Sequence, residues 1–151
     1  MMVCYTANIA YAQNGSPNVG DKAPDFTLED ISSSKVSLQE AAAANNATLL
    51  VFWATWCPYC RQEIPDLIKL NAEYKDKGLK ILAIDIGESQ KKVESFVKEQ
   101  GISYTVLLDT DNKVASQYGI MGIPNNILLD KDGVIKYRGT QPPPEKLLPK
   151  K

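Results

Sequence analysis

The sequence predicts an α/β sandwich of three layers, a mixed central sheet with helices on both faces, and three observations predict it. Residues 48–53 are a continuous apolar run of β-branched and aromatic side chains, and 79–86 read as a second buried strand, both short enough to be strands covered on both faces. Each is followed by a stretch with apolar residues at helical spacing, so strand and helix alternate, and right-handed crossovers make those strands parallel. Asp132-Gly133 then joins residues 126–129 to 134–137 through a tight turn that adds antiparallel strands.

Taken in order, residues 14–24 are rich in Gly, Pro and Asn and read as a linker. Phe26-Thr27-Leu28 and Val36-Ser37-Leu38 alternate apolar and polar around Ser32-Ser33-Ser34, the pattern of an N-terminal β-hairpin extension. Residues 39–45 are Ala-rich and favour a short helix stopped at Asn45-Asn46. Residues 48–53 form the central strand. In 57–75, Ile64, Leu67, Ile68, Leu70 and Tyr74 recur at helical spacing, with Gly78 as the stop and Pro65 expected to kink the helix because it lacks an N–H. After strand 79–86, Ser89 caps a helix carrying Val93, Phe96 and Val97 on one face and closed by Gly101. A strand at 104–108, a short helix at 112–118 and the Asp-Gly hairpin complete the series. Pro142-Pro143-Pro144 leads into a short basic end, so any last helix is expected to be a stub.

Composition excludes several kinds of chemistry. A chain of 151 residues with 44% hydrophobic and 23% charged residues is one globular domain, placed here at 18–151. The net charge is −1 and the Lys and Arg residues are scattered, so no nucleic-acid partner is expected. The absence of His removes the commonest general base and metal ligand, and with three Cys no four-ligand zinc site can be assembled, so no metal is expected. Residues 1–17 read as a truncated leader and linker. Ala10-Tyr11-Ala12 is a small-x-small triplet before polar residues, although a basic start is lacking and Thr6 and Asn8 interrupt the apolar stretch. Cys4 is then incidental to a removed segment. No run reaches the roughly 20 apolar residues that span a bilayer, and the expectation is an exported protein that is soluble after leader removal.

The remaining cysteines stand at Trp56-Cys57-Pro58-Tyr59-Cys60, where a buried strand ends and a helix begins. Unpaired N–H groups and the positive end of the helix dipole stabilise a thiolate at the first position, so Cys57 is expected to be an exposed nucleophile. Cys60, one turn on, can close a disulfide with it and is expected to be the resolving thiol. Pro58 occupies the early helical position where a missing N–H costs nothing. Trp56, Pro58 and Tyr59 are expected to line the surface on which substrate docks. The bland alternative is two cysteines that merely pack.

The segment from Phe52 through Trp53-Ala54-Thr55-Trp56-Cys57-Pro58-Tyr59 to Cys60 resembles the active-site segment of thioredoxin-fold proteins, and specifically of the bacterial TlpA/ResA-like thiol-disulfide oxidoreductases. The likeness runs from Val19-Gly20-Asp21-Lys22-Ala23-Pro24-Asp25-Phe26-Thr27-Leu28 to Leu129-Asp130-Lys131-Asp132-Gly133, about residues 19–139. It implies a thioredoxin-like fold, a cis peptide before Pro124 in Gly122-Ile123-Pro124, and backbone pairing of Ile123 with an extended substrate. It also implies that the acidic residues Glu63 and Glu88 lie beside the cysteines and move protons.

The sequence departs from the pattern in four places. Thioredoxins carry a buried Asp where Val51 stands, which leaves Glu63 as the better base beneath Cys60. Pro58-Tyr59 is the glutaredoxin pair, Asn125-Asn126 replace the family's usual threonines, and the end is short. The implied reaction is attack of Cys57 on a protein disulfide followed by resolution by Cys60, with no cofactor beyond the dithiol. Ile123 before Pro124, as in reducing thioredoxins, points to a reductase served by an external thiol donor, with a membrane thiol carrier as a candidate. Cytochrome c maturation is an association of the family.

Three other readings compete. Residues 19–28 also resemble the opening of peroxiredoxins, but those need a Pro and a Thr before the reactive Cys, and Thr55-Trp56-Cys57 lacks the Pro. Copper carriage by thioredoxin-like chaperones needs a His. A binding module without redox activity would survive replacement of both cysteines.

Overall fold

The computed structural model describes residues 15–150, so Cys4 and the leader-like triplet lie outside the described residues. The chain forms strand β1 (Thr27–Asp30), β2 (Lys35–Ser37), helix α1 (Leu38–Ala44), β3 (Ala47–Trp53), α2 (Pro58–Tyr74), β4 (Leu79–Ile86), α3 (Gln90–Gln100), β5 (Thr105–Asp109), α4 (Lys113–Gln117), β6 (Asn125–Asp130) and β7 (Ile135–Gly139). All seven strands join one sheet in the order β2-β1-β5-β4-β3-β6-β7. β3, β4 and β5 are parallel, as the crossovers require, while β6, β7, β1 and β2 run antiparallel to their neighbours.

β3 sits at the middle because every one of its residues can be covered. Alternate side chains of a strand point to opposite faces. Leu49, Val51 and Trp53 accordingly pack with Ile64 and Leu67 of α2 and Val93, Phe96 and Val97 of α3. Leu50 and Phe52 pack on the other face with Leu38 and Ala41 of α1, Val114 and Ala115 of α4, and Tyr118. This is the three-layer thioredoxin-like sandwich. Local chemistry sets the ends of the helices: the Ser37 and Ser89 hydroxyls accept from Glu40 N and Lys92 N, and Gly101 closes α3 at φ 64°. α2 continues through Pro65 as one helix.

Two stretches differ from expectation. Residues 18–24 are not a free linker. Gly20 N donates to Ile135 O (2.9 Å), Ile135 N to Asp21 O (2.9 Å) and Ala23 N to Gly133 O (2.8 Å), and Ala23 and Phe26 are buried. A Gly/Pro/Asn-rich composition signals the lack of a regular element, and that is compatible with backbone pairing along an edge. At the other end, the expected stub is a single 3-10 turn, Glu145–Leu147, followed by Leu148, which is buried in the α2–α3 core. The Tyr74 hydroxyl donates to the Glu145 carboxylate at 3.3 Å, fixing the segment across α2.

Leu148 thus covers apolar surface that a longer helix would otherwise cover. Leu148→Ala is expected to lower unfolding stability by about 2 kcal/mol, the low end for a buried leucine. Urea titration checks this, and an unchanged midpoint would show that the segment is not part of the cooperative fold.

Candidate active site

The site begins where β3 runs out. Ala54-Thr55-Trp56 turns the chain, with Cys57 N donating to Ala54 O at 3.2 Å, and Cys57 becomes the residue that caps α2. Its φ and ψ of −81° and 116° are extended, and its Sγ accepts the hydrogen bond of Cys60 N at 3.2 Å. A sulfur therefore does the work that Ser or Asp oxygens usually do at a helix start, meeting an N–H that has no partner within the helix. Pro58 is the first residue of the helix.

Opposite the sulfur lies the loop before β6. The Ile123-Pro124 peptide is cis, and the Cys57 thiol points at Ile123 O across 3.7 Å. Trp56 and Tyr59 are 64% and 71% exposed, and Met121 stands almost wholly in solvent, so an apolar rim surrounds the dithiol. Cys57 itself is only 3% exposed, which corrects the expectation of an exposed nucleophile. Capping turns the sulfur inward toward the helix amide and the Ile123 carbonyl. It is covered without being remote from solvent, because Tyr59, Glu63, Ile123 and Pro124 line an adjoining groove of about 1100 Å³.

Cys60 is equally buried, and both thiols are free. Burial, then its hydrogen bond with the Cys57 thiol, pushes the Cys60 thiol far above its usual range, and the charge of nearby Glu63 adds to this. Cys60 keeps its proton until a base removes it.

Glu63 lies one turn after Cys60 on α2, buried, with Oε1 accepting from Asn126 Nδ2 at 2.7 Å. Burial pushes its carboxyl up to about 7 against the pull of the Asn126 hydrogen bond, with Asp66 adding repulsion. A carboxyl near 7 takes or gives a proton at neutral pH.

Glu88 is placed differently from expectation. Its oxygens accept from Thr55 N and Thr55 Oγ1, both at 2.7 Å, and Lys92 Nζ lies 2.8 Å from Oε2. Burial opposes its charge, but hydrogen bonds from Asp85, Lys92 and Thr55 outweigh burial and hold the carboxyl near about 2. A group ionised at every working pH and committed to Thr55 does not carry protons for the thiols, so the expected catalytic role is corrected to positioning. Gly87, at φ 72°, makes the turn that delivers Glu88 to Thr55.

Thr55, Arg61 and Asp85 were not singled out by sequence reasoning as site groups, and Asn126 was noted only as a departure from the family's threonines. Thr55 is held at its N–H and hydroxyl by Glu88 and at its carbonyl by Arg61 Nε (2.8 Å), whose guanidinium lies over the Phe96 ring at 5.2 Å. Asn126 binds Glu63. Asp85, wholly buried on β4, has no close donor for either oxygen as a carboxylate. Burial, with its hydrogen bond to Glu88, pushes its carboxyl up to about 9, so at neutral pH it is an acid donating to the ionised Glu88. The signal for Asp85 was available: one acidic residue inside the apolar stretch 81–86. Thr55 and Arg61 carry no such signal.

A dithiol spanning the first turn of a helix, at the carboxyl end of a central strand and facing a cis-proline loop, places the molecule among the thiol-disulfide oxidoreductases of the thioredoxin fold. The AhpC/TSA family model matches residues 19–138, and the chain belongs to that family and, within it, with the TlpA/ResA-like oxidoreductases. The thiol-disulfide oxidoreductase ResA of Bacillus thuringiensis (strain Al Hakam) is 33% identical over 125 residues, which cover 83% of this chain and 71% of the relative. The ResA of Bacillus subtilis (strain 168) is 32% identical over 128 residues, covering 85% and 70%. Among solved structures, a putative thiol:disulfide interchange protein DsbE from Chlorobium tepidum has a TM-score of 0.77 at 30% identity, covering 87% of this chain and 91% of that one.

The protonated state of Asp85 has a consequence for stability. Its folded value of about 9 stands above the ordinary 3.8, so its contribution is favourable below about 3.8 and is lost as pH rises towards 9. Asp85→Asn keeps a donor to Glu88 and removes that loss. It is expected to stabilise the protein by on the order of 1 kcal/mol or more at pH 8 and by less at pH 5. Denaturant midpoints at the two pH values check this, and a gain independent of pH would refute it.

Proposed function

We propose that the Cys57-Cys60 dithiol reduces disulfides in proteins outside the cytoplasm, with Glu63 as the base for Cys60. The observation that carries this reading is the division of states at the two thiols: Cys57 receives the helix N–H, while Cys60 is held protonated beside a carboxyl that titrates near 7. The Cys57 thiolate attacks one sulfur of a substrate disulfide. That S–S bond breaks, the other substrate sulfur leaves as a thiolate, and a mixed disulfide forms at Cys57. Glu63 then takes the Cys60 proton, the Cys60 thiolate attacks Cys57 Sγ, and the second substrate thiolate is released as the Cys57-Cys60 disulfide closes. Two electrons have passed to the substrate, and an external thiol protein returns them to the pair. No cofactor is required.

Substrate would dock on the rim made by Trp56, Pro58 and Tyr59, with its extended backbone on Ile123 and Pro124. The direction rests on Ile123 preceding Pro124, and the location on the leader-like residues 10–12 and the family. Among the described residues no helix is long and apolar enough to cross a membrane, and the external donor proposed is a membrane thiol carrier. Cytochrome c maturation is the process that the family suggests.

Insulin-disulfide reduction by the wild type is expected to vanish in Cys57→Ser, whereas Cys60→Ser should accumulate a mixed disulfide visible on non-reducing gels. Equilibration with glutathione should put the pair nearer about −270 mV, the thioredoxin end, than about −120 mV, the oxidant end. A value at the oxidant end would turn the assignment towards disulfide formation. Glu63→Gln should slow resolution of the mixed disulfide tenfold or more near pH 7 and remove the rise in rate centred there; a rate that rises through pH 7 as in the wild type would show that the base lies elsewhere.

A further inference from the structure

Asn126 is hydrogen-bonded to the base of the proton step, and the mechanism has not yet used it. It is wholly buried at the second position of β6, opposite Val51 in the β3–β6 register. Its Nδ2 reaches Glu63 Oε1 at 2.7 Å across the α2 side of the sheet. Val51 is where thioredoxins keep a buried Asp, so this chain has an apolar residue there and an amide-carboxyl pair from the neighbouring strand and α2 beside it. Two atoms of that pair are idle: Asn126 Oδ1 and Glu63 Oε2 are both buried without a hydrogen-bond partner. Idle buried polar atoms are uncommon in folded proteins and ask for a reason.

A carboxylate needs donors and a carboxylic acid needs an acceptor, and a primary amide offers both on one rotatable group. With Glu63 ionised, Nδ2 donates to it. When Glu63 takes the Cys60 proton, its new O–H needs an acceptor, and half a turn of the amide presents Oδ1. We infer that Asn126 is a positioning residue for the proton step, an amide that serves both protonation states of Glu63 and sets the pH at which Glu63 accepts the proton of Cys60. This rests on the reading of Glu63 as the base. The other ionisable groups facing Glu63 are Cys60 and Asp66 on α2, and Tyr104 ahead of β5, whose phenol feels the Glu63 charge; Arg138 on β7 lines the same groove. None of these is hydrogen-bonded to Glu63 in the structure, whereas Asn126 is, and its amide can both donate and accept.

The test is the rate at which a preformed Cys57 mixed disulfide is resolved, measured from pH 5 to 9 by the appearance of free substrate thiol. In Asn126→Leu, which can neither donate nor accept, the midpoint of the profile should move up by about one unit, a tenfold loss of rate below it. Asn126→Thr, whose hydroxyl can do both, should retain the wild-type midpoint. Should the leucine variant fail to fold, Asn126→Asp, of the same shape, should also move the midpoint up, because a second carboxyl disfavours ionisation of Glu63. A folded Asn126→Leu or Asn126→Asp with the wild-type midpoint overturns the inference. If Glu63→Gln also retains the wild-type profile, the reading of Glu63 falls and the inference with it; if Glu63→Gln abolishes the midpoint and the Asn126 variants leave it in place, the inference falls alone.

Discussion

A single hydrogen bond, from Cys60 N to Cys57 Sγ, ties the chemistry of this molecule to its architecture. It makes the sulfur a structural cap, so α2 cannot begin where it does unless Cys57 holds an extended conformation at the end of the β3 turn. Thr55 is what keeps that turn in place. Its N–H, hydroxyl and carbonyl are each bound, by Glu88 and by Arg61, leaving the segment no freedom to move Cys57 relative to the helix. Sequence distance is bridged by packing: Glu88 arrives from the far end of β4, and Arg61 is braced on Phe96 of α3. The site is therefore supported by the two helices of one face and by the central parallel strands together.

Three carboxyl groups close to the dithiol are held in three different states by their surroundings. Glu88 accepts from Thr55 at two atoms, from Lys92 and from Asp85, and stays ionised. Asp85, next to it, stays protonated because burial penalises its charge, with the hydrogen bond to Glu88 and the Glu88 charge adding to this. Glu63, buried with a single amide donor, falls between them at about 7. Environment divides the labour among identical functional groups, fixed charge in one place and a mobile proton in another. The arrangement also explains why Glu63 and Glu88, indistinguishable as acidic residues near a Cys pair, are not equivalent.

Much of the fold was legible because its signals are local. Continuous apolar runs, helical spacing with Ser caps and Gly stops, and the Asp-Gly turn placed every strand and helix to within a residue or two. The dithiol was legible for the same reason, since it sits in one five-residue stretch at an element boundary. What escaped depends on contacts between distant segments. The 18–24 stretch pairs with the chain around Gly133 and Ile135, a partner that composition cannot name. The burial of Cys57 follows from Ile123, 66 residues away, and the commitment of Glu88 from Thr55, 33 residues away. Asn126 was visible as a departure from threonine, yet its meaning requires knowing that β6 lies beside β3 and that α2 lies over both.

The burial of Cys57 bears on the order of events. A nucleophile with little exposure reacts only with a sulfur delivered along a defined line, and the apolar rim of Trp56, Tyr59 and Met121 supplies the surface against which such delivery is made dry. Cys60 is as buried as Cys57 and is held protonated, so it does not compete for the incoming disulfide. It becomes reactive only after the first bond has formed, when the sulfur it must attack is Cys57 Sγ, one helical turn away. With the two sulfurs equally buried, proton affinity delays the second. The two-step sequence thus follows from the surroundings that keep the second sulfur protonated.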